Sequence, residues 1–212
     1  MSLIGLTGSH RTGKTTLARE YAEKAGAAFL ETSTSKIFQE LHISPADTFS
    51  FEARLDIQEL ILARTDALYE SVDPLVITVT DRTPLCMAAY TLAEAVGGAV
   101  PDHCQLRLIQ YVNRCFDVIN KRFSTVLLVQ PGIALTQAEG KAALNQGYID
   151  HMNALAMGLL HDERLKVPHF YMPKLITDLK DRVSAMEGAV RRSAAVHEVS
   201  LSEFLAAGGK PC

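Results

Sequence analysis

Gly8-Ser9-His10-Arg11-Thr12-Gly13-Lys14-Thr15 is the stretch that decides the fold: it fits G-x-x-x-x-G-K-[ST] and stands where the hydrophobic period changes. Ahead of it, Leu3-Ile4-Gly5-Leu6-Thr7 is a short apolar run of strand type. Behind it, Leu17, Tyr21, Ala22 and Ala25 recur at helical spacing until Gly26 stops the pattern. Strand, glycine-rich turn and helix in that order build a loop whose backbone N–H groups turn inward on a polyphosphate. The helix that follows adds its positive N-terminal end. Lys14 is placed to span the terminal phosphates and the Thr15 hydroxyl to bind Mg²⁺, so Gly8 through Thr16 is the expected ATP-binding segment. The side chains of His10 and Arg11 are expected to point to solvent and receive no chemical role.

Outward from this loop, short β-branched runs alternate with helical patterns. Ala28-Phe29-Leu30 reads as a second strand, and the polar cluster Glu31-Thr32-Ser33-Thr34-Ser35 offers caps for a helix through Ile37, Phe38 and Leu41. A long helix is expected from Phe51 to about Tyr69, with Arg54, Gln58 and Arg64 on its exposed face. Pro74 to Thr80 is the expected central strand, ending at Asp81-Arg82, and Pro84 opens a helix that Gly97-Gly98 ends. A helix over Asp102 to Lys121 precedes the strand Thr125 to Val129. Residues 132–147, with three glycines and few large apolar groups, read as a mobile, lid-like segment before a helix from about Tyr148 to His161. A strand at His169 to Tyr171 and a helix from Asp178 to about Arg192 close the pattern. Such alternation predicts a parallel sheet covered on both faces, in one domain spanning residues 1–212.

Composition narrows the classes. With 212 residues, 48% of them hydrophobic, the chain can bury a full core, and 21% charged residues argue against disorder. Lys and Arg number 21 against 24 Asp and Glu, for a net charge of −3, so no bulk basic field serves nucleic acid, although a local groove stays open. Cys86, Cys104, Cys115 and Cys212 form no CxxC pair and follow no secretory leader, which predicts a reducing compartment, the cytoplasm, or a host's cytoplasm for a phage protein. No apolar run has the length of a membrane span. The seven histidines show no HxxH or HExxH spacing, so no metal beyond Mg²⁺ is expected.

Two carboxylates stand at predicted strand ends, the edge where open α/β sheets gather ligands. Asp81 at that place can organise Mg²⁺ or accept the proton of an attacking hydroxyl, and Arg82 beside it can offset charge in the transition state. Alternatively, Asp81 is a helix N-cap and Arg82 a surface residue. Glu31 ends the second strand on the same edge, as a base or as a cap for the next helix. Arg107, Arg114 and Lys121 recur every seven residues and line one side of a helix, either as a guide for an anionic acceptor or as a solvated face.

These motifs together resemble small P-loop kinases of the AAA_28 type, which include nicotinamide riboside kinase domains and many phage proteins within the nucleoside and nucleotide kinase superfamily. Gly8 to Thr16, Thr32-Ser33-Thr34-Ser35, Phe51-Glu52-Ala53-Arg54 to Gln58, and Asp81-Arg82-Thr83-Pro84-Leu85 with Ala89-Tyr90 carry the resemblance. It implies a three-layer α/β fold with a five-stranded parallel sheet and helices on both faces, ATP on the phosphate loop, and the acceptor in a cleft over the strand ends. In related deoxynucleoside kinases an acidic residue after the second strand is the base and an acid-Arg-Ser run follows the third, places that Glu31 and Asp81-Arg82 match. A Gln on a helix there reads a nucleobase edge, and Gln58 either corresponds or faces solvent. The resemblance also implies an Arg-bearing lid, yet between Val129 and Tyr148 Lys141 is the one basic residue, so Lys141 or a residue from elsewhere such as Arg114 must serve. Thr32, Ser33, Arg54, Gln58, Arg114 and Lys141 are thus the substrate candidates, beside Lys14, Asp81, Arg82 and Glu31 for catalysis and Thr15 and Asp81 for the metal.

Three functions follow. The first is an ATP-dependent kinase acting on a hydroxyl of a nucleoside- or nucleotide-type small molecule. The second is a phage kinase acting on the hydroxymethyl group of 5-hydroxymethyluracil in DNA. The third, from another class, is a non-kinase NTPase switch; against it, the central strand ends in Asp81-Arg82 and not in two acids. Oligomeric state is left open, a dimer included.

Overall fold

A computed structural model of the chain describes residues 3–32, 34–44, 47–95, 100–134 and 145–206. Five parallel strands form one sheet in the order β2-β3-β1-β4-β5: β1 (Leu3–Thr7), β2 (Ala28–Leu30), β3 (Thr78–Thr80), β4 (Thr125–Val129) and β5 (His169–Met172). Between and after them run α1 (Lys14–Ala25), α2 (Thr34–Glu40), α3 (Phe51–Glu70), α4 (Pro84–Glu94), α5 (Asp102–Arg122), α6 (Gln146–Leu160) and α7 (Leu179–Ala206). The expected three-layer P-loop fold is present. Among the described residues no helix is long and apolar enough to cross a membrane.

The strand period of two divides the core. Leu3, Val126 and Leu128 point to one face of the sheet, where α3, α4, α5 and α6 pack. Ile4, Leu6, Val79, Leu127 and Val129 point to the other, against Leu17, Ala18 and Tyr21 of α1 and Val183, Met186 and Ala189 of α7. The longest stripe lies on α5, whose Tyr111, Val112, Cys115, Phe116 and Ile119 are buried at three- and four-residue spacing. Its polar flank is tied to α3: Arg107 bonds Asp56 and Glu59 at 2.5 and 2.7 Å, and the buried Arg122 bonds Asp66 and Glu70 at 2.7 and 2.9 Å. Arg107 is therefore occupied by α3 carboxylates, and the basic stripe read from the sequence is reduced to Arg114 and Lys121.

Two boundaries differ from the sequence reading by more than two residues. The central strand begins at Thr78, not Pro74, and Leu75, Val76 and Ile77 are exposed. The registered pairing starts there, with Leu3 and Ala28 both opposite Thr78 and Ala28 N donating to Ile77 O at 2.8 Å, while Asp73 holds the preceding residues in a turn through Leu75 N and Val76 N. The last helix continues past Arg192 to Ala206; Ser193 ties it to the sheet through Thr125 at 2.6 Å, and Val196 beyond is exposed. The lid-like segment falls mostly on residues outside those described.

Candidate active site

β1 delivers the chain into the phosphate loop at the carboxyl edge of the sheet, and α1 leads away from it. Two glycines let the loop close. Gly8 has φ +129°, and a Cβ there would stand 2.6 Å from the Val129 carbonyl oxygen; Gly13 has φ +75° at the N-cap of α1. Arg11, between them, also holds a left-handed backbone at φ 62°. Lys14 Nζ donates to Ser9 O at 2.6 Å and to Thr12 Oγ1 at 3.3 Å, while the buried Ser9 Oγ has no hydrogen-bond partner among the described residues. Burial pulls the Lys14 ammonium down to about 8; Arg82 and Arg182 push the same way, and Cys86 and Asp81 oppose them. A polyphosphate in the loop would relieve that cost, so these residues fit one.

Asp81 leaves the end of β3 and is buried. Its Oδ2 accepts from Thr15 Oγ1 at 2.5 Å and its Oδ1 from Thr32 Oγ1 at 3.2 Å. A hydroxyl and a carboxylate in contact beside a phosphate loop are a hard-oxygen pair of the kind Mg²⁺ takes, so the donor set fits that ion. Glu31 stands on the same edge but is exposed, in an ion pair with Arg19 at 3.1 Å.

Two cavities open on this edge. One, of about 450 Å³, is lined by Thr15, Thr16, Arg19, Glu31, Asp81 and Arg82. The other, of about 460 Å³, is largely aromatic, with Phe38, Phe49, Phe51, Tyr90 and Tyr148 around Arg54, Gln58 and Glu94. Thr34 and Arg82 line both. Tyr69 fixes the Arg82 backbone by donating to its carbonyl at 3.0 Å.

His10 departs from the sequence reading. Its ring does not point to solvent: Nδ1 lies 3.2 Å from Tyr90 Oη, and the ring stands 5.7 Å from that of Tyr148, inside the aromatic cavity. Burial lowers its pKa, with Lys14, Arg11 and Arg82 adding to the effect. Arg54 reaches the same cavity and forms an ion pair with Glu94 at 3.7 Å; Gln58 lines it as well. Arg114 is exposed on α5 and lines neither cavity. Ser33 and Lys141 lie outside the described residues.

Several residues at the site carried no role in the sequence reading. Tyr90 and Tyr148 could have been found only by knowing that α4 and α6 pack side by side, as they do. Cys86, buried under the loop, has its Sγ 3.1 Å from Thr7 Oγ1. Burial alone would raise this thiol, but Lys14, the Thr7 hydroxyl, the backbone at Thr83 and Arg82 together lower it. Arg182 comes from α7, some 170 residues along the chain, and donates to Thr12 O at 2.7 Å.

A sheet of this order with the phosphate loop after β1 and a carboxylate after β3 defines a P-loop kinase fold. Residues 3–142 match the AAA_28 family, described as an AAA domain, and the chain belongs to that family. Solved structures agree on the fold. Deoxyadenosine kinase from M. mycoides with bound dATP has a TM-score of 0.63 at 14% identity, covering 90% of this chain and 100% of that one. The NadR protein in complex with NR gives 0.63 at 17%, covering 91% of this chain and 50% of that one. Thymidylate kinase from Candida albicans gives 0.59 at 15%, covering 91% and 92%. No curated protein matches the sequence.

Proposed function

We propose that this chain is an ATP-dependent phosphotransferase that moves the γ-phosphoryl group onto a hydroxyl of an uncharged, nucleoside-type acceptor. The observation that carries the reading is the meeting of the two cavities at Arg82 and Thr34, which sets a phosphate-side chamber beside an aromatic one. Aromatic faces suit a planar base, and Gln58 with the Arg54–Glu94 pair offers donors and acceptors for its edge. The charge inventory favours a nucleoside over a nucleotide. Arg54 is paired with Glu94 and His10 is held toward its neutral form, which leaves Arg82, shared with the phosphate side, as the cation lining the aromatic cavity among the described residues.

In this reading Lys14 and the loop amides hold the triphosphate, and the acceptor hydroxyl oxygen attacks the γ-phosphorus in line. The new O–P bond forms as the bond to the β-phosphate oxygen breaks, and ADP leaves with that electron pair. Thr15 and Asp81 would hold Mg²⁺, which supplies charge neutralisation on the phosphates. Both Asp81 oxygens are engaged, by Thr15 and Thr32, so the hydroxyl proton is assigned to Glu31, whose partner among the described residues is the exposed Arg19. Arg82 offsets charge on the transferring group.

The 5-hydroxymethyluracil reading draws less support, since Arg107 of the basic stripe is spent on Asp56 and Glu59. The experiment is to incubate the protein with Mg²⁺ and γ-labelled ATP and follow label into nucleosides, nucleoside monophosphates, and DNA with or without 5-hydroxymethyluracil. Label in the nucleoside pool is the expected result. Label confined to hydroxymethylated DNA, or none beyond inorganic phosphate, refutes the proposal.

A further inference from the structure

Arg182 is placed in a way that no fold-building role accounts for. It rises from the first turn of α7 and is only 4% exposed, yet the partners of its guanidinium are neutral: Thr12 O at 2.7 Å from Nη2 and Met172 Sδ at 3.3 Å from Nε. Among the described residues no carboxylate pairs with it. A guanidinium cannot shed its proton at ordinary pH, so this is a full positive charge taken out of water without a counter-ion, an arrangement that is costly for folding on its own. Burial disfavours the charged form.

Its neighbours show where the charge is aimed. A Cβ on Gly13 would stand 2.9 Å from Arg182 Nη1, so the glycine that opens α1 also makes room for the guanidinium against the loop backbone. The carbonyl that Arg182 engages belongs to the Thr12–Gly13 peptide, whose other polar group is the Gly13 N–H. A charged donor on one end of a peptide polarises it and strengthens the N–H at the other end as a donor. That N–H belongs to the set that a phosphate loop turns on its anion. The same charge also reaches Lys14, whose ammonium it disfavours. An anion between them would turn two mutually repelling cations into partners of one ligand.

We propose that Arg182 is the second fixed cation of the phosphate site, a positioning residue that acts from behind the loop through the Thr12–Gly13 peptide. It would supply from α7 part of the positive charge for which the sequence between Val129 and Tyr148 offers only Lys141. The inference rests on the phosphotransferase reading to the extent that the loop must bind a polyphosphate.

The test compares wild type with Arg182→Lys and Arg182→Gln for binding of ATP and of inorganic tripolyphosphate, with thermal melting to confirm folding. Lysine keeps the charge, whereas glutamine keeps a neutral donor able to hold Thr12 O. A charge role predicts that glutamine weakens both ligands about tenfold or more while lysine stays within about threefold of wild type. The KM for the acceptor should be unchanged in all three proteins, because Arg182 does not line the aromatic cavity. Glutamine binding as well as lysine would reduce Arg182 to a structural clip and overturn the inference with the phosphotransferase reading intact. Failure of the wild type to bind either ligand would overturn both.

Discussion

Replacing Asp81 by Asn separates the carboxylate's share in folding from its share in chemistry. In the native protein its two oxygens accept from Thr15 at 2.5 Å and Thr32 at 3.2 Å in a buried setting. Asparagine keeps the shape: its oxygen can accept from Thr15 and its amide can donate to Thr32 Oγ1, so both contacts survive as neutral hydrogen bonds. A bond to a charged group is worth about 1.5–3 kcal/mol and a neutral one about 0.5–1.5, so matching the ends of the two ranges gives a combined loss of about 2–3 kcal/mol for the two bonds. Removing a buried charge returns part of that, so a net loss of about 0–2 kcal/mol is expected. At roughly 2–4 °C per kcal/mol for a domain of this size, Tm should fall by no more than about 8 °C. Phosphoryl transfer should fall about a hundredfold or more, because in the proposed mechanism Asp81 is the anionic ligand to Mg²⁺ and a neutral amide does not replace it. The assay is label transfer from ATP across a Mg²⁺ titration, alongside thermal melting. A folded Asp81→Asn protein that transfers phosphate within about threefold of wild type would refute the reasoning.

Three further outcomes are expected. Glu31→Gln should slow transfer about a hundredfold with nucleotide affinity unchanged, and the loss should lessen as pH rises, a profile that rate measurements across pH would check. His10 has its pKa lowered in the folded state from an ordinary value near 6.5, so the folded protein binds fewer protons there than the unfolded chain; its contribution is complete above about 6.5 and is lost as pH falls below that value, and melting from pH 8 to 5 should show a drop that His10→Gln reduces. Phe116→Ala, at a 1% exposed position in the core between α5 and the sheet, should cost about 3–5 kcal/mol and lower Tm by roughly 6–20 °C, with the active-site geometry unaffected.

The parts of this molecule that a local signal writes were legible in the sequence. β1, β2 and β4 fall where their apolar runs lie, and α1 begins and ends at Gly13 and Gly26 because each glycine supplies the left-handed backbone its turn needs. The Thr15–Asp81 contact was legible too, since a phosphate loop and a carboxylate at the end of the neighbouring strand converge on one sheet edge. What escaped depends on packing between distant segments. Leu75 to Ile77 have strand composition, but the registered pairing with β1 and β2 runs from Thr78 and all three residues stay exposed, so propensity alone overstated β3. His10 looked like a solvent-facing loop residue because nothing local shows that Tyr90 and Tyr148 will flank it. Arg107 looked like one of three free cations because Asp56 and Glu59 reach it from another helix. Arg182 is one Arg among several on its helix until the fold lays α7 against the phosphate loop.

The most direct test of the account is the turnover of ATP by wild type and Lys14→Ala with and without an added nucleoside, counting ADP formed against phosphorylated acceptor. The account predicts that wild-type turnover depends on the nucleoside with one phosphate transferred per ADP, and that folded Lys14→Ala transfers none. ATP hydrolysis indifferent to any acceptor, or near-normal transfer by Lys14→Ala, would contradict it.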